Sequence, residues 1–409
     1  MKDNQLEYED LKKIIESCHL NFLIGSGLSA PYLSILGQIE ELLSENESSD
    51  EPNKIIETSI KKFYFDQCIK GNLALLDASL CDESKKSDFE KINENYKCFI
   101  NSLHTILSYR ESNIVSKQVN LFTTNMDLFL DKTIEDLGFV LNDGFAGRMN
   151  PKFGTENFNN SIHKYSSHYE YKSELPLFNL FKMHGSVNWK RIKNDIGKGT
   201  YEITNDSSLE ILKKISNVGI KQENVTAIIT GNKDDKCRDI YFSYDELVQN
   251  VKEIEEKETH DQYLKNYNEL VMINPTKDKF RDTTSNFYFY ELLRMYANHL
   301  EKENSILFVL GFSFADEHIR EITKRVLKSN PTLMMFIFCK KEDKEWYINM
   351  FNNANNVIYL TPEDDNHYSL DKANDFLFEN LAHDLRFGIT KTEKIKLEKE
   401  NVKNGESNQ

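Results

Sequence analysis

Apolar residues fall at helical spacing over residues 6–18 and then close into a short run at 20–24 that ends in Gly25-Ser26-Gly27. The pattern predicts a helix, a buried strand and a glycine turn. An amphipathic pattern resumes over 32–43 and breaks at the polar stretch ENESSDEPN (45–53). Helical segments then continue to about 116, and together they read as a helical module over about 32–116. A second buried run, 119–122, ends in Thr123-Thr124-Asn125-Met126-Asp127 and leads into a helical pattern over 128–137. Residues 144–174 are rich in Asn, Gly, Ser, Tyr and His with weak periodicity, so they read as irregular chain before a third strand at 177–183, which His184 follows directly.

The stretch 191–266 is strongly charged, with helical patterns near 208–215 and 244–257 around the polar patch GNKDDKCRD. It reads as an insertion, and its sequence does not decide between a solvated face and a partner surface. The opening grammar then returns: an apolar run at 270–273, a helix over 286–302, a run at 306–310, a helix after Phe314, a run at 333–338, another helix and a run at 357–360. Strands alternating with helices specify a parallel sheet. The expected architecture is an α/β, Rossmann-like parallel sheet flanked by helices, in one domain over 1–390 with a charged, fraying tail at 391–409.

Composition narrows the function. With 39% hydrophobic and 29% charged residues the chain reads as a soluble globular protein. Its 51 basic and 66 acidic side chains give a net charge of -15, which disfavours direct nucleic-acid binding. The N-terminus lacks the apolar stretch of a secretory signal, and the longest apolar runs fall far short of the roughly 20 residues that cross a bilayer, so a cytoplasmic protein without a membrane segment is expected. The six cysteines are scattered and none form a CxxC pair, so no metal is expected.

The polar residues at strand ends carry the candidate chemistry. Gly25-x-Gly27-x-x-Ala30 fits a G-x-G-x-x-G/A dinucleotide loop between a strand and a helical pattern, with hydroxyls from Ser26 and Ser29, although the same residues would make a plain strand-to-helix turn. Thr123 to Asp127, including Thr124, Asn125 and Asp127, sits where open parallel sheets place ligand groups, and equally where a helix wants an N-cap. Lys182-Met183-His184-Gly185-Ser186 and Gly311-Phe312-Ser313-Phe314-Ala315-Asp316 end two further strands. Asp316, Glu317 and His318 suit the first turn of a helix, where capping competes with ligand contact. His163 and His168 have no ligand partner at metal spacing, and the acidic run 363–365 reads as a solvated turn.

Taken in order, GSGLS, TTNMD, MHGS and GFSFADEHI resemble the motifs of the sirtuin family over about 21–319. The chain lacks the GIPDFR-like segment and the four-cysteine zinc ribbon of sirtuin deacylases. Together with INPT at 273–276, the pattern looks more like the sirtuin-like NAD hydrolases of bacterial antiphage defence, and most like the subunit that assembles with a HerA-type hexameric ATPase. The resemblance implies NAD as substrate, a homo-oligomer and such an ATPase as partner. It also implies roles: amides of Gly25 to Ser29 on the pyrophosphate, Asn125 on the ribose hydroxyls or the attacking water, Asp127 facing the nicotinamide carboxamide, His184 as base, and Gly311 with Ser313 near the adenosine ribose. A protein deacylase and a non-catalytic NAD- or ADP-ribose-sensing module are the alternatives.

Overall fold

The computed structural model describes residues 6–35, 39–49, 53–110, 115–168, 170–192, 201–220, 229–233, 239–251, 257–273, 287–361, 369–388 and 396–397. Residues 274–276 of the INPT stretch, Cys237, the acidic run 363–365, and the tail apart from 396–397 lie outside the described residues.

The α/β expectation holds. Seven parallel strands form the central sheet: β1 (His19–Ile24), β2 (Gln118–Thr123), β3 (Val140–Asn142), β4 (Leu177–Lys182), and, later in the chain, Ser305–Leu310, Met334–Phe338 and Val357–Leu360. Between β4 and these last three the chain makes β5 (Gly185–Ile192), β6 (Glu202–Asn205) and β7 (Leu270–Met272), so the late sheet strands are β8, β9 and β10. The order across the sheet is β10-β9-β8-β1-β2-β4-β3. Long apolar runs make these strands because both faces are covered. On one face Phe22, Leu121, Leu180 and Phe308 pack against Leu11 and Ile15 of α1 (Tyr8–Ser17) and Phe99 of the long helix Lys86–Tyr109. On the other, Leu23, Phe122, Phe181 and Val309 pack against Tyr296 of the helix Phe287–Leu300 and Val326 of the helix Glu317–Ser329.

One row across this sheet is polar. Asn21, Asn120, Asn179 and Asn142 are register partners on β1, β2, β4 and β3. Asn120 Nδ2 donates to Asn21 Oδ1 (2.9 Å), Asn179 Nδ2 to Asn120 Oδ1 (3.1 Å) and Asn142 Nδ2 to Asn179 Oδ1 (2.9 Å). Asn21 Nδ2 closes the row on the Ile306 carbonyl at 3.1 Å. A one-residue slip would break every link, so the ladder fixes register where the aliphatic rows alone would tolerate alternatives.

Three expectations are corrected. The run at 270–273 is not a strand of the parallel sheet: β7 pairs antiparallel with β5, Gly185 opposite Met272, in a separate three-stranded sheet with β6. The cause is local, because Gly185 at φ +82° turns the chain back beyond β4, and an alanine Cβ there would come within 2.8 Å of Met272 Cα. The glycine after His184 is thus required by the passage of β7. The loop after β1 does not open an α-helix; it makes a single 3-10 turn, Ser26–Leu28, since Pro31 has no amide to bond the Gly27 carbonyl. Third, the irregular stretch carries short ladders, 145–146 with 152–153 and 163–165 with 172–174, and is preceded by the edge strand β3.

Helices fall within the 32–116 region at Ile39–Ser48, Lys54–Tyr64 and Lys86–Tyr109. The charged stretch packs on them: Tyr263 of the helix Lys257–Tyr267 is buried and donates to the Lys61 carbonyl at 3.4 Å, and Tyr241 meets Phe63 edge-on at 5.9 Å. These two tyrosines thus face the helix Lys54–Tyr64.

Candidate active site

The chain leaves β1 for β2 on one side and returns as β8 on the other, so the sheet reverses direction of winding between β1 and β8. Open α/β sheets bind ligands in the crevice at the carboxyl ends of such strands. Here the two strand ends meet through their backbones. The Gly25 amide donates to the Leu310 carbonyl (3.0 Å) and the Gly27 amide to the Gly311 carbonyl (3.1 Å). Gly311 takes φ +61°, and an added Cβ would lie 2.8 Å from the Leu28 nitrogen. Within the turn, the Leu28 amide bonds the Gly25 carbonyl (3.2 Å) and the Ser29 amide the Ser26 carbonyl (3.1 Å). The amides of Gly25, Gly27, Leu28 and Ser29 are therefore already engaged within the chain, and Ser26 is the exposed member of the loop.

From β2, the Thr123 hydroxyl donates to the Ile24 carbonyl (3.0 Å) and accepts from the Asn125 amide (3.0 Å), which sets the Asn125 side chain under the glycine loop. Asn125 Nδ2 donates to the Gly25 carbonyl at 3.0 Å, while its Oδ1 is buried and has no hydrogen-bond partner among the described residues. Half-buried Thr124 adds its amide to the Ile24 carbonyl at 3.3 Å.

Asp127 is buried. Its Oδ2 accepts from the Ser29 hydroxyl at 2.8 Å and its Oδ1 from the Phe129 amide at 3.2 Å, at the start of the helix Phe129–Asp136. Ser29 also touches the Tyr96 hydroxyl at 3.1 Å. Lys182, the buried last residue of β4, reaches the Asp127 carbonyl with its ammonium group and lies 2.7 Å from an Asp131 carboxylate oxygen. Burial pushes the Asp127 carboxyl up, opposed by the Lys182 ammonium and the Ser29 hydroxyl. Nearby Asp143 is pushed up to about 6, again chiefly by burial.

His184 and Asp316 approach from opposite sides of the switch point. His184 Nε2 lies 3.1 Å from Asp316 Oδ2, with side chains 13% and 8% exposed. Asp316 is also the N-cap of the helix Glu317–Ser329, its Oδ1 accepting from the His318 and Ile319 amides. Ser313 is exposed, its hydroxyl accepting from the Ala315 amide at 3.4 Å.

The structure thus ties the sequence-predicted residues into two linked groups: Gly25, Gly27, Asn125 and Gly311 through the backbone contacts, and Ser29 with Asp127. His184 forms a separate pair with Asp316. Thr123 and Lys182 stood in the strand-end motifs without a role of their own, and Asp316 was open between cap and ligand contact; it is the cap, and its contact with His184 was missed. Among the described residues no group of three or more His, Cys, Asp or Glu is arranged to hold a metal, and no helix is long and apolar enough to cross a membrane. An open cavity of about 870 Å³, lined by residues such as Glu41, Glu45, Tyr241 and Tyr244, includes none of these site residues in its wall.

No curated protein matches the chain. Residues 243–359 match the family described as SIR2-like domain. The matched stretch holds β7 to β9, most of β10, and Gly311, Ser313 and Asp316, and leaves the opening loop, Asn125 and His184 outside. Over these residues the chain is similar to SIR2-like domains.

Proposed function

We propose that the protein hydrolyses NAD at the bond between nicotinamide and ribose, releasing nicotinamide and ADP-ribose. The observation that carries this reading is the buried Oδ1 of Asn125 at the switch point, which has no partner among the described residues. An unsatisfied buried acceptor costs about 1–3 kcal/mol, and a ligand hydroxyl or a water donating to it recovers that cost. NAD in a sirtuin-like crevice supplies ribose hydroxyls of that kind, and Nδ2, fixed on Gly25, sets which way the acceptor points.

The chemistry asks little of the protein beyond orientation and a base. As the C–N bond breaks, its electron pair neutralises the pyridinium nitrogen, so nicotinamide leaves uncharged and needs no strong acid. Positive charge builds on the sugar, the oxygen of a water bonds to its anomeric carbon, and the water proton passes to His184 and on to solvent. In this reading Asn125 holds the ribose or the water, Asp127 and Thr124 line the nicotinamide side, Ser26 and Ser29 belong to the phosphate-side loop, and Gly311 and Ser313 face the adenosine ribose.

A freely active NAD hydrolase would exhaust the NAD of its own cell. We extend the proposal, on the sequence resemblance, to an antiphage effector in the cytoplasm gated by self-association or by a HerA-type ATPase. The test follows free nicotinamide after NAD is added to the full chain, alone and with a candidate ATPase, for wild type, Asn125→Ala and His184→Ala. Release lost in both variants supports the hydrolase; NAD binding with no release under any condition replaces it with a sensing module, and release only with an acetyl-lysine peptide replaces it with a deacylase.

A further inference from the structure

We infer that Asp316 is the positioning residue of His184, fixing its tautomer so that Nδ1 is the atom that takes the proton. The inference rests on the hydrolase reading for its catalytic consequence but not for its geometry.

Each oxygen of Asp316 faces a different neighbour. Oδ1 is held by the His318 and Ile319 amides (3.1 and 3.2 Å), which anchors the side chain to the start of its helix, and Oδ2 lies 3.1 Å from His184 Nε2, within ion-pair distance. The positive end of the helix dipole favours the ionised carboxylate at that position. An ionised carboxylate only accepts hydrogen bonds, so a neutral His184 that satisfies it must carry its proton on Nε2, leaving the lone pair on Nδ1. The histidine backbone is fixed as well, because its carbonyl accepts from the Ile273 amide at 2.9 Å. The pair therefore orients the imidazole from two chain segments that meet only at the switch point. Asp–His pairs of this kind act in hydrolases by holding tautomer and orientation rather than by taking the proton themselves.

Asp316→Asn separates this role from the cap. Asparagine caps helices as well as aspartate does, so its oxygen keeps the helix start, while its amide turns a donor toward Nε2 and drives the proton to Nδ1. The whole chain, labelled with ¹⁵N histidine, is read by NMR under the assay conditions, with His184→Gln to assign the signal; nicotinamide release and NAD affinity are measured alongside. Wild type is expected to be protonated on Nε2 and Asp316→Asn on Nδ1. In the variant nicotinamide release should fall by roughly 100-fold or more, with NAD affinity and thermal midpoint little changed. Wild type protonated on Nδ1, or one tautomer in both proteins, overturns the inference; so does a switched tautomer with undiminished release. If wild type never releases nicotinamide, the hydrolase reading fails while the tautomer result still decides the pairing.

Discussion

Gly25→Ala tests whether the switch point is built by backbone contact. An alanine Cβ at 25 would press on the Gly311 carbonyl oxygen and lie 2.7 Å from Phe312 Cα and 2.9 Å from the Gly311 carbonyl carbon, all main-chain atoms that no rotamer change can move. Gly25 has an ordinary φ of −114°, so the strain comes from the contact and not from the conformation. Overpacking by one methyl costs about 1–3 kcal/mol. Relief by shifting the loop would stretch the bonds from the Gly25 amide to Leu310 and from Asn125 to the Gly25 carbonyl, both 3.0 Å, each worth about 1 kcal/mol. The predicted loss is therefore roughly 2–3 kcal/mol, taken either as the upper part of the overpacking range or as two weakened hydrogen bonds. Gly27→Ala is the graded control: its nearest clashes are Gly311 Cα at 2.9 Å and the Gly311 oxygen at 3.0 Å, so its cost should be about 1 kcal/mol, at the mild end of overpacking. Urea unfolding at constant m-value reads the stabilities, and nicotinamide release reads the site. Gly25→Ala should also lose release at temperatures where it is still folded, because displacing the Gly25 carbonyl frees Asn125. Equal stability of Gly25→Ala and wild type, or a larger loss for Gly27→Ala, would refute the contact argument.

Two further substitutions probe the polar row and its neighbour. Asn120→Ala removes the donor to Asn21 Oδ1 and the acceptor of Asn179 Nδ2, and strips the His299 Nδ1 contact at 3.0 Å; with several buried polar atoms orphaned, a loss on the order of 4 kcal/mol is expected in urea unfolding. His299 is held neutral, its pKa lowered to about 3 by burial and then by Lys302. Its folded pKa lies below the unfolded value near 6.5, so its stability contribution is complete above pH 6.5 and lost as pH falls toward 3. At pH 5 this accounts for up to about 2 kcal/mol of acid sensitivity, and His299→Gln should flatten the stability-pH curve between pH 6.5 and 4; an unchanged slope would exclude His299 as its source.

The sheet was legible because its strands are buried on both faces, which leaves continuous apolar runs such as SILFVL at 305–310. That signal carries no direction. The run at 270–272 is as apolar as a sheet strand, and only Gly185, through the turn it makes beyond β4, sends β7 to an antiparallel partner. The short strand β3 and the two-residue ladders are too brief for periodicity to register. Strand-end polar residues were legible as a class, since a parallel sheet gathers its carboxyl ends. Their pairing was not: His184 and Asp316 are adjacent only after β4 and β8 take their places on either side of β1 and β2. Asp316 shows how one carboxylate hides a second contact, because the cap explains its presence before a helix and leaves nothing in the local sequence to demand a partner for Oδ2.

The same contacts that close the fold also set the site, and this constrains how the site can vary. Asn125 is aimed by a carbonyl of the residue whose amide joins β1 to β8, and His184 faces the carboxylate that starts the helix after β8. Each side chain is thus held by a group from another strand end, and Asn125 also by Thr123 of its own loop. A shift of β8 would act on both through short paths: through the main-chain bonds of Gly25 and Gly27 to Leu310 and Gly311 and on to the Asn125 side chain, and through the Asp316 side chain to His184. The helix Glu317–Ser329 and the loop from Gly311 to Asp316 therefore touch the supports of both Asn125 and His184, whereas the helix Lys86–Tyr109 reaches Asp127 and Ser29 through Tyr96, which stacks on Phe129 at 5.2 Å.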